Sequence, residues 1–281
     1  MQQDHTMENW NEGLRIEACG EGDTILFVHA DFVDGGMWKG TMAALASRFR
    51  VACFDKRGYG RSDPATGPIC RRRELETVVR AVAQGPVHLV GCSNGGQSAL
   101  DLALEQPTLV RSLTLVNATP SGFRPEGAPP PELLDMLAAL GRGDGAAASA
   151  LQIRIWFDGP TRDAASLAST KQVARAEAAR MNRIFVDRGT FAIADATPKD
   201  PLAPPAIARL AQVQQPTLVV SGAIDHPENQ RASHLLAKAI PGARLAVMED
   251  SAHVPPLEDP RAFATLVRSF IEETSIATAG Q

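Results

Sequence analysis

The sequence predicts an α/β fold with a mostly parallel, doubly wound sheet and an inserted helical lid. Short β-branched runs alternate with helical patterns from about residue 14 to 118, and the alternation resumes after residue 206. Strands that alternate with helices are typical of parallel crossovers with helices on both faces of a sheet. A chain of 281 residues with 44% hydrophobic content is long enough to bury one large core of this kind.

Apolar runs of strand length and segments of helical spacing follow one another in this part of the chain. The predicted strands are TILFVHA, RVACFD, PVHLVGC, SLTLVNA, PTLVVSG and ARLAVME. The predicted helices are TMAALASRF, RELETVVRAVA, QSALDLALEQP, ASHLLAKAI and PRAFATLVRSFIEE. We expect the third helix to end at Pro107, because proline cannot continue the hydrogen bonding of a helix.

Two proline-rich stretches interrupt the alternation, SGFRPEGAPPP at 121–131 and ATPKDPLAPPA at 196–206. Proline fixes φ and removes a hydrogen-bond donor, so both stretches are expected to be extended linkers. Between them, PELLDMLAAL and the alanine-rich run over 164–186 have the composition of helices. The sequence thus predicts one core domain, residues 1–120 and 207–281, interrupted by a helical cap over residues 121–206.

Charge gives no indication of a nucleic-acid or membrane partner. The formal net charge is −4, from 32 acidic and 28 basic residues spread along the chain. A protein that binds nucleic acid or anionic lipid usually concentrates basic residues, and only Arg71, Arg72 and Arg73 do so here. These arginines begin a segment of helical spacing, and we interpret them as a solvated helix end.

Cysteine spacing and the N-terminal segment indicate a cytoplasmic protein. The 4 cysteines show no CxxC spacing, and two of them lie in apolar strand-like runs, where cysteine behaves as a small hydrophobic residue. The start of the chain lacks a basic segment followed by an apolar core, and no apolar run approaches the roughly 18 residues of a membrane span. We therefore expect a reducing, cytoplasmic setting.

A serine surrounded by small residues is the strongest catalytic signal. In VHLVGCSNGGQSAL, residues 87–100, an apolar strand runs into G-x-S-x-G and then into a helix. A nucleophile on such a sharp turn brings strand and helix so close that Gly91 and Gly95 must be nearly free of side chain. The alternative is a glycine turn with an incidental serine, but the strand-turn-helix context favours Ser93 as a nucleophile.

A serine nucleophile needs a histidine base that a carboxylate orients. Of the 6 histidines, His253 lies in EDSAHVPPLEDP, a loop after the last predicted strand. Asp225 lies in SGAIDHP, at the end of PTLVVSG. Both loops are expected at the carboxyl edge of the sheet, where open α/β sheets bind their ligands. His226, beside the acid, is interpreted as a loop histidine.

The negative charge of a tetrahedral intermediate needs hydrogen-bond donors that are already in position. One is expected to be the backbone N–H of Asn94 at the start of the helix, where the helix dipole assists. The other is expected from the loop after TILFV, which begins with His29. We interpret the imidazole of His29 as a structural anchor of this loop.

Five segments resemble, in order, the signature segments of the α/β-hydrolase superfamily. They are HADFVDGGMW, FDKRGYGRSD, GCSNGG, SGAID and DSAHVPPLEDP. The resemblance implies a Ser93-Asp225-His253 triad and makes the N–H of Asp31 the second oxyanion donor. In the family a glycine and a large apolar residue usually stand where this chain has Ala30 and Asp31.

An acidic side chain at this position bears on catalysis. A carboxylate directed at the oxyanion would oppose its formation by Coulomb repulsion. We therefore expect the Asp31 side chain to point away or to bind polar groups of the substrate. The segment DKRGYGRSD is expected to pair its charges locally and to have a structural role.

The resemblance is strongest to small bacterial esterases and enol-lactone hydrolases. It implies a serine hydrolase that cleaves a small-molecule carboxylic ester or lactone through an acyl-enzyme. The serine excludes the dehalogenases and epoxide hydrolases of the superfamily, which need an aspartate there. A carbon-carbon bond hydrolase with the same triad remains an alternative, and so does a ligand-binding relative without turnover.

Several large apolar residues are candidates for the acyl pocket beneath the lid, although each could equally belong to the core. They are Phe32, Met37, Trp38, Trp156 and Phe157. Dispersed histidines and the lack of a phosphate-binding glycine loop imply neither a metal nor a cofactor. We expect a monomer or a homodimer.

Overall fold

A single sheet organises the part of the chain that the structure describes. The computed structural model describes residues 7–279, and the side chains up to residue 274. Within these residues eight strands form a sheet of order β1-β2-β4-β3-β5-β6-β7-β8. The strands are β1 Met7–Asn11, β2 Leu14–Cys19, β3 Thr24–Val28, β4 Arg50–Phe54, β5 Val87–Cys92, β6 Val110–Val116, β7 Thr217–Gly222 and β8 Arg244–Met248.

The predicted mostly parallel sheet is confirmed. Neighbouring strands from β4 to β8 pair in parallel, whereas β1 with β2 and β2 with β4 pair antiparallel. The strands β1 and β2, which form a hairpin, were not predicted from the sequence. Its turn residues Glu12 and Gly13 both have positive φ, 49° and 78°, as a two-residue hairpin turn requires. The exposed β1, MENWN, lacks the apolar alternation by which strands are recognised.

Helices cover both faces of the sheet, as the alternation of strands and helices predicts. They are α1 Lys39–Leu45, α2 Arg71–Val82, α3 Asn94–Glu105, α4 Leu133–Gly141, α5 Gly145–Ile153, α6 Ser169–Asp187, α7 Pro227–Ala239, α8 Pro255–Glu258 and α9 Pro260–Ala279. Alternate residues of a strand enter opposite cores: Ile25 packs with α1 and α9, and Leu26 packs with α2 and α3. None of the described helices has the length and apolar composition to cross a bilayer.

The chain between β6 and β7 is helical. It contains α4, α5 and α6, and α5 packs against both of the others. Helices were expected near α4 and α6, but α5 was not predicted. Its sequence, GAAASALQI, has only two large apolar residues and so shows no apolar periodicity. The Asp144 side chain begins α5 by accepting the Ala147 N–H at 3.0 Å. The boundaries of a cap at residues 121–206 remain a prediction.

The arginine run at the start of α2 differs from its interpretation as a solvated helix end. The side chains of Arg71 and Arg72 are only 13% and 6% exposed, and Arg73 alone is largely in solvent. Arg71 donates to Asp195, which follows α6, and to Glu74 in its own helix, both at 2.8 Å. The interpretation is wrong for the first two arginines, because acidic residues distant in sequence pair with them.

Candidate active site

Ser93 lies on a strained turn between β5 and α3. Its φ of 54° and ψ of −125° are unusual for a residue with a side chain. A Cβ on Gly91 would lie 2.5 Å from the carbonyl oxygen of Gly95. A Cβ on Gly95 would lie 2.6 Å from the carbonyl oxygen of His29. Glycine is required at both positions because the helix passes so close to the strands.

The side chains of Asp225 and His253 meet at the carboxyl edge of the sheet. Asp225 follows β7, and His253 lies in the loop between β8 and α8. The distance from His253 Nδ1 to Asp225 Oδ2 is 2.7 Å, and both side chains are buried. A carboxylate can only accept here, so Nδ1 carries the proton and Nε2 is left as a proton acceptor.

Two further donors hold the Asp225 carboxylate. Its Oδ1 accepts the His226 backbone N–H at 2.7 Å and Asn229 Nδ2 at 3.0 Å. The imidazole of His226 caps α7 by accepting the Glu228 N–H at 3.3 Å. Asn229 was not predicted from the sequence, because the predicted helix ASHLLAKAI begins at Ala232, whereas α7 begins at Pro227.

A cavity of about 680 Å³ opens above Ser93. Ser93, Asn94, His253 and Asp31 border it on the side of the sheet. The residues between β6 and β7 supply most of its apolar wall. These wall residues are Leu133, Met136, Leu137, Leu140, Trp156, Phe185, Val186 and Phe191.

The structure brings two of the five predicted pocket residues, Phe32 and Trp156, to this cavity. Their rings also pack against His253, with centroids 6.2 and 5.0 Å away. The prediction is wrong for Met37, Trp38 and Phe157, which are at most 1% exposed and belong to the core.

Local geometry explains these three exceptions. The ring of Trp38 packs between Phe27 and Phe263, with centroid distances of 4.9 and 6.0 Å. Phe157 follows Trp156 in a helical turn, Arg154–Asp158. Consecutive residues of this π-helical turn point in different directions. Only Trp156 of this pair borders the cavity, and Phe157 enters the core.

The backbone N–H groups of Asp31 and Asn94 are free to bind an oxyanion. Within the part of the chain that the structure describes, neither N–H meets an acceptor. Asn94 begins α3, so its N–H lies at the positive end of the helix dipole. Both residues border the cavity beside Ser93.

The Asp31 carboxylate lies between two donors. Lys56 Nζ contacts Oδ1, and Asn94 Nδ2 contacts Oδ2. Burial alone would raise the pKa of Asp31, but the Lys56 ammonium and these hydrogen bonds bring it below its usual value. The carboxylate is therefore ionised and paired, at the boundary of the cavity.

The sequence predicts a structural role for DKRGYGRSD, the segment that contains Lys56, but it does not predict the contact of Lys56 with Asp31. Its side chain is 2% exposed, and its ammonium lies 4.8 Å from the centre of the Tyr59 ring. The two residues follow the predicted strands β3 and β4, and the carboxyl ends of these strands are adjacent once the strands pair. The contact could therefore have been inferred from the sequence.

His29 anchors the loop that carries Asp31. It is fully buried, and its Nε2 accepts the backbone N–H of Lys56 at 3.0 Å. Its Nδ1 therefore carries the proton and donates to the Ala30 carbonyl oxygen at 2.7 Å. Burial and the nearby Lys56 charge lower the pKa of His29 well below its usual value, which keeps the ring neutral.

Comparison with known proteins adds to this geometry. A family model described as "alpha/beta hydrolase fold" matches residues 23–260. A pimeloyl-[acyl-carrier protein] methyl ester esterase of Aeromonas hydrophila is 26% identical over 260 residues, which are 92% of this chain and 99% of that protein. The 3-oxoadipate enol-lactonase 1 of Acinetobacter baylyi is 25% identical over 278 residues, 92% of each chain.

A solved structure described as an N-acyl homoserine lactone degrading enzyme is also similar. It superimposes with a TM-score of 0.74 at 28% identity, over 94% of this chain and all of that one. The similarity therefore extends over the sheet and over the helical segment between β6 and β7.

Proposed function

Since the chain belongs to the α/β-hydrolase family, we propose that it is a serine hydrolase that cleaves a carboxylic ester or lactone. The observation that carries the proposal is the buried Asp225-His253 hydrogen bond at the edge of the cavity that the strained Ser93 borders. The similarity to an esterase and an enol-lactonase supports this reaction class.

The first half of the reaction forms an acyl-enzyme. Ser93 Oγ attacks the substrate carbonyl while His253 Nε2 takes its proton, and Asp225 stabilises the imidazolium. The N–H groups of Asp31 and Asn94 bind the oxyanion of the tetrahedral intermediate. Collapse of the intermediate breaks the ester bond, and the departing alkoxide takes the proton from His253.

The second half releases the acid. Water enters beside His253, gives a proton to Nε2 and attacks the acyl carbonyl, with the same amides holding the oxyanion. Collapse returns the proton to Ser93 Oγ and leaves the carboxylic acid. In a lactone the alcohol and the acid stay in one molecule, so the same steps yield a hydroxy acid.

The composition of the cavity supports substrates with an uncharged, apolar acyl group. Leucine, methionine and aromatic side chains form most of its wall, and among the described residues that line it none is lysine or arginine. The buried cation Lys56, whose partner Asp31 borders the cavity, is engaged by that carboxylate. An anionic acyl chain would lose its hydration in this cavity without gaining an ionic partner.

Labelling with a fluorophosphonate tests the nucleophile. We expect the wild-type protein to gain one phosphonyl group by intact mass, with release of fluoride, and Ser93→Ala to gain none. Ser233→Ala is the matched control, because Ser233 is a fully buried serine of α7 away from the cavity. An unlabelled wild type, or labelled Ser93→Ala, would contradict the proposal.

Paired nitrophenyl esters test the acyl group. We expect kcat/KM for nitrophenyl hexanoate to exceed that for the mono-nitrophenyl ester of adipic acid by about 100-fold, the effect of burying an unpaired carboxylate. The two acyl chains have the same number of carbons, so the esters differ only in whether the chain ends in a methyl group or in a charged carboxylate. Equal values would contradict the proposed acyl specificity while leaving the serine hydrolase proposal intact.

A further inference from the structure

The side chains of the two proposed oxyanion residues are joined to each other. Asn94 Nδ2 donates to Asp31 Oδ2, and Lys56 Nζ contacts the other oxygen of the same carboxylate. Asn94 belongs to the first turn of α3, and Asp31 to the loop after β3. The Lys56-Asp31-Asn94 bridge therefore joins the two segments that carry the proposed oxyanion donors.

We propose that Lys56 is a positioning residue for hydrolysis, which neutralises Asp31 and holds this bridge so that both amides stay directed at the oxyanion. The inference rests on the proposed function. It assigns a role to a residue outside the triad and to the acidic residue that departs from the usual family pattern.

Charge is the first reason for this role. A partly buried carboxylate such as that of Asp31, 19% exposed, repels an oxyanion that develops beside it, because water screens the two charges poorly. The charged and titratable groups that face Asp31 are Lys56, Arg71, His29 and Tyr59. Arg71 is engaged by acidic partners of its own, and His29 is a neutral ring. Lys56 is therefore the group that neutralises the charge of Asp31.

Fixed geometry is the second reason. The Lys56 side chain is 2% exposed, so its ammonium cannot turn into solvent without opening the site. Its backbone N–H is bound to His29 Nε2 at 3.0 Å, and Tyr59 lies beneath its ammonium. Donors held in advance stabilise a transition state most, because they need no reorganisation when charge develops.

The variant Lys56→Met tests the proposal, because it keeps the length and burial of the side chain but removes its charge. At pH 8 we expect kcat for nitrophenyl hexanoate to fall about 10- to 100-fold with KM little changed. The upper end of this range is comparable to the loss of kcat when one oxyanion donor is removed. The ratio of variant to wild-type kcat should rise as the pH is lowered, because protonation of the unpaired Asp31 removes the repulsion.

A second substitution separates this role from simple stabilisation of the fold. Asp31→Asn in the Lys56→Met background removes the unpaired charge but keeps an amide that can bind Asn94. We expect this double variant to recover kcat to within about threefold of the wild type and to regain its pH profile. If Lys56→Met does not fold, the double variant still tests the idea, since a kcat more than tenfold below wild type would overturn it.

Arg175→Met is the matched control. Arg175 pairs with Asp158, a carboxylate of 0% exposure that does not border the cavity. We expect Arg175→Met to lower the melting temperature without altering the pH dependence of kcat. Two results would overturn the positioning role of Lys56: wild-type kcat and pH profile in Lys56→Met, or a uniform loss at every pH that Asp31→Asn does not restore. A wild type that neither hydrolyses esters nor labels at Ser93 would instead refute the proposed function.

Discussion

The indole ring of Trp156 packs against the imidazole ring of His253, with 5.0 Å between their centroids. The backbone joins them too, because the His253 N–H donates to the Trp156 carbonyl oxygen at 3.3 Å. Arg162 binds Glu258 Oε2 at 2.6 Å just beyond the histidine loop. The helical segment between β6 and β7 is thus fastened to the loop that carries the proposed base.

Trp156→Ala is expected to lower kcat/KM for nitrophenyl esters about 5- to 20-fold. The loss corresponds to roughly 1–2 kcal/mol, the range of an aromatic contact that orients a partner ring. Without the indole, the imidazole gains freedom to rotate, and the cavity loses part of its wall. Initial rates at several ester concentrations measure the change. Trp10→Ala, at an exposed position of β1, is the control, and equal rates for both variants would argue against the coupling.

Asp225→Asn is expected to lower kcat by about 10⁴-fold while the protein remains folded, as for triads of this kind. The amide of asparagine donates toward Nδ1, which favours the tautomer whose proton lies on Nε2. That nitrogen then cannot take a proton from Ser93. Asp250→Asn makes the same change of charge on an exposed side chain near His253 and should retain kcat within about twofold. If Asp225→Asn lowers kcat by less than about tenfold, Asp225 is not the carboxylate that orients His253.

Leu140→Trp is expected to shorten the acyl chains that the enzyme accepts. Leu140 borders the cavity, so a larger side chain there takes up space that a long chain would need. We expect the ratio of kcat/KM for nitrophenyl octanoate to that for the acetate to fall about tenfold. Leu134→Trp adds the same side chain to the same helix at a position 72% exposed, and should leave the ratio unchanged. An unchanged ratio in both variants would remove α4 from acyl recognition.

Local chain chemistry accounts for what could be predicted from the sequence. The strand, glycines and helix around Ser93 are contiguous, so the turn could be recognised from residues 87–100 alone. Asp225 and His253 follow predicted strands, and parallel strands bring their carboxyl ends to one edge. The alternation of strands and helices in the sequence was sufficient to predict the six strands from β3 to β8.

Relationships between distant segments account for most of what could not be predicted. Trp38 and Trp156 have equal apolar character, and only the packing of their turns decides that Trp38 enters the core. Lys56 and Asp31 are 25 positions apart, and their pairing follows from the adjacency of β3 and β4. Charges that meet in this way leave no periodic pattern in either segment.

Asp101→Asn is expected to stabilise the protein at alkaline pH and to have little effect at pH 4. Asp101 is a buried residue of α3 that accepts the Ser121 hydroxyl at 2.8 Å. Burial raises the pKa of Asp101 to about 6, whereas an aspartate of the unfolded chain ionises near pH 4. Between these values the native state binds more protons, so the free energy of unfolding falls as the pH rises from about 4 to about 6.

Asparagine cannot ionise, so the variant escapes this loss and should be more stable than the wild type by roughly 1 to 3 kcal/mol at pH 8. Urea unfolding at pH 4, 6 and 8 measures the difference between the two proteins. Burial also raises the pKa of Asp34 to about 6. Asp34 is present in both proteins, so its contribution to the pH dependence cancels in the difference between them. Asp250→Asn, on an exposed side chain, should follow the wild type at each pH. A stability difference that stays constant from pH 4 to 8 would mean that folding does not raise the pKa of Asp101.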